Sequence, residues 1–292
     1  MERFIIKENS TLLEALLVFF PDSSKTQLQK WLREGRIEMD GHPVKTPHLP
    51  VKKGQKLVLS KKRDPQKKTL LNIVYRDSHL IVLDKPYGLL SVDAETGNAP
   101  SLHRYLKQEY SGKKINVLHR LDRETSGLIL FPLTEECFRL LKQQLKERKI
   151  KRSYTALVEN TPQPTKGTWK CRLCEDKFFN VFPTQDPTKG EEAITHYQLL
   201  FSKGKYSRLN LELETGKKHQ IRVHCQMAGC PIVGDKKYDA LSSPIKRLCL
   251  HAHTLSFIHP ITGKALTFSS PEPELFDRVV PKHRMSKYDT DA

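Results

Sequence analysis

The chain has 292 residues, with 50 lysines and arginines against 33 aspartates and glutamates, a formal charge of +17. That length permits two domains and a core able to hold a preorganised site, while the charge repels basic partners and attracts polyanions, nucleic acid first. The longest apolar run, Leu12 to Phe20, is broken by Glu14 and stopped by Pro21, and the N-terminus lacks an export signal. A cytoplasmic protein with no membrane span is expected.

Thr11 and Glu14 stand at capping-box spacing ahead of Leu12, Leu13, Leu16, Leu17 and Phe20, which predicts a first helix over 11–20. Ser24 caps a second helix over 24–34, with Leu28, Trp31 and Leu32 inward and Gly35 as its stop. Lys25, Lys30 and Arg33 fall elsewhere on this helix and are candidate RNA contacts. Ile37 and Met39 alternate inward before an Asp40-Gly41 turn, a hairpin signal. Residues 1–63 carry 13 basic and 7 acidic side chains, a net of +6 on a unit too small for its own active site. SSKTQLQKWLREGRIEMDGHPVK resembles the S-four RNA-binding domain of ribosomal proteins. The resemblance implies that residues 1–60 hold RNA, followed by a basic linker over 61–70.

A second domain is expected over 71–285, with 286–292 as a disordered tail. Leu71 to Tyr75 and Leu80 to Leu83 read as strands, DKPYG as a loop, and Ser101 as the cap of a helix bearing Leu102, Tyr105 and Leu106. Leu128 to Phe131 is a buried strand, and a helix follows from Thr134 to about Arg148. Its end and exit, RLLKQQLKERKIKR, hold seven basic residues and one acid. Thereafter strands dominate: SYTALV, Ala193 to Phe201, Arg208 to Glu214, Leu250 to Ile258 and Ala265 to Phe268, interrupted by one helix over Lys218 to Ala228. Strands in the majority without strict βαβ alternation indicate an α+β domain built on a mostly antiparallel sheet.

Six cysteines in so long a chain do not form a disulfide framework. Cys171 and Cys174 have zinc-ligand spacing but no matching second pair, so buried thiols are expected and no metal.

HRLDRETSGLILF, residues 119–131, sets one carboxylate, Asp122, between Arg120 and Arg123, with Glu124 beside them and an apolar strand beyond. A charged loop at a buried edge is costly unless its charges are paired or used. By spacing alone it reads more readily as an Asp capping a turn, with its arginines on the surface. A positioned carboxylate serving as nucleophile or base is the competing reading.

The same stretch resembles the signature loop of the RluA-type pseudouridine synthases. DKPYGLLSV at 84–92, KIKRSYTALVEN at 149–160, LETGKKHQIRVHCQMAGCPIVGDKKY at 213–238 and LHAHTLSFIHPITGK at 250–264 are similar to that family's other motifs, in its order. The resemblance implies a pseudouridine synthase fold and an isomerase acting on RNA. It makes Asp122 the nucleophile, Tyr154 a ring that stacks on uracil and can take its carbon 5 proton, and Arg222 the partner that orients Asp122. Arg120 would fill the stack left by a flipped uridine. His119, Arg123, Lys217, Lys218 and His219 would complete the RNA contacts, although no role for His119 beyond shaping the loop is evident.

The isomerisation is redox-neutral, so no cofactor is expected, and no protein partner is evident. Large-subunit ribosomal RNA is the first substrate expected, transfer RNA the second. A silent RNA-binding or ribosome-assembly factor is a third reading, which would want a damaged Asp, Tyr or Arg.

Overall fold

The computed structural model describes residues 2–40, 42–59, 71–94, 99–112 and 114–281. Contacts divide the chain into two units, Met1–Leu70 and Leu71–Ala292. The expected linker, 61–70, and the expected tail, 286–292, lie outside the described residues.

The first unit contains β1 (Glu2–Ile5), β2 (Ser10–Thr11), α1 (Leu12–Phe19), α2 (Lys25–Arg33), β3 (Ile37–Met39), β4 (His42–Pro43), β5 (Pro50–Val51) and β6 (Lys56–Leu59). Thr11 caps α1 through a capping box: its side chain accepts from Glu14 N, and the Glu14 carboxylate accepts from Thr11 N at 2.9 Å. Ser24 caps α2, accepting from Gln27 N at 3.2 Å, and Gly35, at φ +65°, follows the helix with the left-handed turn that favours glycine. The sheet runs β1-β6-β3-β4. Leu12, Leu16, Leu28, Leu32, Ile37 and Leu57 bury its core, leaving Lys25, Lys30 and Arg33 exposed on α2.

The second unit contains β7 (Asn72–Arg76), β8 (Leu80–Lys85), α3 (Leu102–Glu109), β9 (Ser126–Pro132), α4 (Glu135–Lys146), β10 (Lys151–Glu159), β11 (Lys166–Glu175) and β12 (Val181–Thr184). It continues with β13 (Glu191–Lys203), β14 (Tyr206–Leu213), α5 (Gln220–Met227), β15 (Leu250–Ile258) and β16 (Ala265–Ser269). One sheet takes them in the order β12-β11-β13-β14-β10-β15-β9-β8-β7, with β16 beside β15. Every pairing between these strands is antiparallel except β9 with β15. The unit is the mostly antiparallel α+β domain that the sequence implies.

Residues alternate across β8 and β9. Ile81, Leu83, Ile129 and Phe131 pack with Leu102 and Leu106 of α3, whereas Leu80, Val82, Leu128 and Leu130 pack with Cys137 and Leu141 of α4. Burial on both faces is why this stretch reads as an unbroken apolar run.

Three features depart from the sequence reading. The hairpin β11–β12 is not anticipated by it. Helix α5 starts at Gln220 rather than Lys218, because His219 takes a left-handed conformation, φ +54°, and ends the preceding turn. Cys171 and Cys174, expected to be buried, are only half-buried, because both sit on the strand β11; Cys171 Sγ lies 3.2 Å from His224 Nε2. No helix of the described residues is long and apolar enough to cross a membrane.

Candidate active site

The loop before β9 is fixed by its neighbours in space. Ser91 Oγ accepts from Leu121 N at 3.0 Å and donates to Leu121 O at 2.6 Å. Lys85 is fully buried, and its ammonium donates to the carbonyls of Pro86, Leu89 and Arg123 at 3.0, 2.8 and 3.2 Å. Burial pushes its pKa down to about 7, against the pull of the nearby Asp122 charge. Three carbonyls facing one nitrogen still call for three N–H donors, which only the charged form supplies. DKPYGLLSV thus clamps HRLDRETSG through a cation that no solvent reaches.

At its far end the loop enters the parallel pairing, with Ser126 opposite His251 and Gly127 opposite Ala252. Gly127 has φ +112°, and a Cβ there would lie 2.2 Å from Ala252 O, so only glycine fits. Thr125 N donates to Asp122 O at 3.1 Å, closing a turn that sets Asp122 at the foot of a cleft of about 780 Å³.

Asp122 is about a quarter exposed, and Arg222 Nη1 lies 3.4 Å from its Oδ2. Arg222 is itself buried on α5, and its stronger partner is Asp235, which accepts from Nε and Nη2 at 2.7 Å each. The Tyr238 ring lies 5.0 Å from the Arg222 guanidinium. Glu124 Oε2 lies 3.8 Å from Nη2, so the expected Asp122–Arg222 pair is part of a four-residue cluster whose anchor, Asp235, sequence reasoning missed. Its only sequence signal is its place in the GDKKY stretch.

His219 Nε2 is 3.9 Å from Asp122 Oδ2, and its Nδ1 shares a 2.8 Å hydrogen bond with the Tyr238 hydroxyl. Burial pushes the imidazole pKa down to about 4, so this residue is neutral near pH 7.

Tyr154 is buried on β10, at a register shift between Ser153 and Tyr154 in the pairing with β15. Such a bulge re-aims a side chain, and this one lines the cleft. Its hydroxyl has no hydrogen bond among the described residues. Burial pushes the phenol pKa up; Arg152 opposes that shift and Asp122 reinforces it.

The other residues expected to touch RNA differ in their freedom. Arg120 is exposed on the cleft lining, and Arg123, also exposed, donates from Nε to Gly88 O at 3.1 Å. Lys217 pairs with Glu191 at 2.5 Å, and Lys218 pairs with Glu175, so both ammoniums already have carboxylate partners. His119 turns to its own loop, where Nε2 accepts from Leu130 N at 3.2 Å. Burial, with Arg152 adding to it, lowers its pKa to about 3, which fixes the proton on a buried Nδ1 with no partner. Its place is structural, as the loop's own brace, rather than that of a charged RNA contact. Lys25, Lys30 and Arg33 belong to the first unit.

Asp122, Arg123, His219 and Arg222 also line a second groove, flanked by Lys236, Lys237, Lys246 and Arg247. A carboxylate that opens on both sides to cation-lined channels suits chemistry on a polyanion threaded past it.

Asp122 and Arg222 thus stand where two clefts meet on a broad, mostly antiparallel sheet, with lysines and arginines along both, a setting that suits a polyanionic substrate. Residues 79–227 match the family model for RNA pseudouridylate synthase. An uncharacterized RNA pseudouridine synthase of Bacillus subtilis, YhcT, is 31% identical over 91% of this chain and 91% of its own. The ribosomal large subunit pseudouridine synthase D of Pasteurella multocida is 30% identical over 91% of this chain and 89% of its own. The dual-specificity RNA pseudouridine synthase RluA of Haemophilus influenzae is 36% identical over 71% and 95%. The human RNA pseudouridylate synthase domain containing 4 shares the fold, with a TM-score of 0.58 at 24% identity over 70% of this chain and 90% of its own. The chain belongs to the RluA-type RNA pseudouridine synthase family and is an isomerase that converts uridine in RNA to pseudouridine.

Proposed function

We propose that this enzyme modifies large-subunit ribosomal RNA in the cytoplasm, with Asp122 as nucleophile. The observation that carries the chemistry is Asp122 itself, held at the foot of the cleft 3.4 Å from a buried arginine. The substrate reading rests on the relatives named for the ribosomal large subunit, which align with about nine-tenths of this chain. The exposed cations of α2 support a first unit that holds RNA, as its S-four resemblance implies. All six cysteines are free thiols, which suits a reducing compartment.

In the reaction a carboxylate oxygen of Asp122 bonds to carbon 6 of uracil or to the anomeric carbon of ribose. The bond from N1 to the sugar breaks, the base turns, and carbon 5 bonds to the sugar. Carbon 5 loses its proton, N1 gains one, and release from Asp122 restores the carboxylate. Arg222, anchored by Asp235, holds Asp122 in line without neutralising it fully, because its charge is shared among three carboxylates, Asp235, Asp122 and Glu124. A phenol whose pKa is pushed up is not a resting base. Tyr154 stacks on the uracil and relays the carbon 5 proton through its hydroxyl to Asp122 or water.

Asp122→Asn tests the reading. It should abolish pseudouridine formation in ribosomal RNA, mapped in cells with the variant or the parent gene, while RNA binding persists. Parental pseudouridine levels would remove Asp122 from the mechanism, and new sites confined to transfer RNA would move the substrate.

A further inference from the structure

The cleft holds a second buried arginine. Arg152 is 8% exposed and lines the cleft with Tyr154. Unlike Arg222, it has no carboxylate partner among the described residues. Its one hydrogen bond runs from Nη2 to Thr215 O at 3.3 Å, and its buried Nε has no acceptor. A Cβ on Gly216 would fall 2.5 Å from Arg152 Nη1, so a residue without a side chain makes room for the guanidinium. A buried cation with five donors and one neutral acceptor destabilises the free enzyme unless something repays its lost hydration.

We propose that Arg152 is the phosphate subsite of the cleft, binding a backbone phosphate next to the uridine that Asp122 attacks. This deepens the proposed mechanism and rests on it. The ligand is an anion, because an unpaired guanidinium needs a counter-charge and uracil is neutral. The guanidinium fork matches phosphate oxygens, and Lys146, Arg148 and Lys217 line the same cleft. Arg152 and Tyr154 lie two residues apart on β10, so a nucleotide whose base meets the Tyr154 ring brings a flanking phosphate to the arginine.

The test is a chemical double-mutant cycle on an RNA hairpin that the enzyme modifies, carrying a neutral methylphosphonate at either linkage of the target uridine. Arg152→Gln should weaken binding about 10- to 100-fold. It should also reduce the salt slope by about 0.7 to 0.9, the share of one phosphate contact. The increase should fall on KM and Kd, with kcat kept at saturating RNA. At one linkage the methylphosphonate should weaken the parent and leave Arg152→Gln unaffected. Arg152→Lys should recover only part of the binding, restoring the charge without the fork, and the melting temperature of Arg152→Gln should equal or exceed the parent's. Additive losses at both linkages, or parental KM with a lower melting temperature, would overturn the proposal and make Arg152 a structural residue. Pseudouridine formation by the parent on the unmodified hairpin is read separately, so failure of the functional reading is distinguishable from failure of the subsite.

Discussion

Arg222 is bound more tightly to Asp235, at 2.7 Å through two nitrogens, than to Asp122, at 3.4 Å through one. Asp235 is buried and Asp122 opens to the cleft, so the first carboxylate fixes the arginine and the second is left available. Asp235→Asn should remove that division. Breaking a buried pair costs about 3 to 5 kcal/mol, offset in part as Arg222 turns fully to Asp122. The expected result is a lower melting temperature and a kcat reduced more than tenfold, with RNA affinity near parental. Unchanged kcat would show that Asp235 has no part in positioning.

Lys85→Met should leave the carbonyls of Pro86, Leu89 and Arg123 buried without a donor. Each unsatisfied group costs about 1 to 3 kcal/mol, so a loss of about 3 kcal/mol or more is expected in denaturant titrations. Activity should fall further than stability explains, because the same contacts hold the Asp122 loop in place. A variant with parental stability would mean that Lys85 is neutral and its carbonyls satisfied by water.

Tyr154→Phe keeps the ring and removes the hydroxyl. Stacking on an aromatic face does not need the hydroxyl, so RNA affinity should stay within about threefold. Proton transfer by a positioned group is worth about 10²- to 10⁴-fold, so tritium release from RNA labelled at uridine carbon 5 should slow about a hundredfold under single turnover. Because the neutral phenol relays the proton, the parental rate should not climb tenfold per pH unit above neutrality, a climb that a tyrosinate base with its raised pKa would sustain.

Burial pushes five histidines down from the usual 6.5, His119 to about 3, His219 and His224 to about 4, and His251 and His253 in the same direction. In the unfolded chain they protonate near 6.5, so between about pH 4 and 6.5 the unfolded state binds more protons than the native one. Stability is fully present above pH 6.5 and falls as pH drops through that window, by up to about 1.4 kcal/mol per pH unit for each histidine. Urea midpoints at pH 5 and pH 7 measure this. His224→Asn should flatten the dependence by up to one proton, and a slope equal to the parent's would place the titration elsewhere.

Short-range chemistry was legible in the sequence. Thr11, Ser24, Ser101 and Thr134 each cap the helix expected of them, because a cap is settled within three residues. Hairpin β11–β12 was not, since lysines and an arginine interrupt KGTWKCRLCE and its second partner, β13, arrives about twenty residues later. Asp122, Tyr154 and Arg222 came from motif resemblance, and they line one cleft. Arg152 was hidden in the run KERKIKR, where a buried cation and a solvated one are written alike. Asp235 was missed because its partner lies 13 residues back across a loop with no periodic signal.

The parallel contact of β9 with β15 also sets a timetable for synthesis. Ser126 meets a partner, His251, that is 125 residues further along the chain. At about 5 to 20 residues per second, that partner is translated roughly 6 to 25 seconds later. Until then the exit of the Asp122 loop lies on β8 alone, with Gly127 opposite Lys85. A message cut before Leu250 would encode Asp122, Tyr154 and Arg222 in full, yet lack the strand that pairs with both β9 and β10. β15, which contributes none of the three, thus ties the strand that carries Tyr154 to the strand that follows Asp122, and it does so late in synthesis.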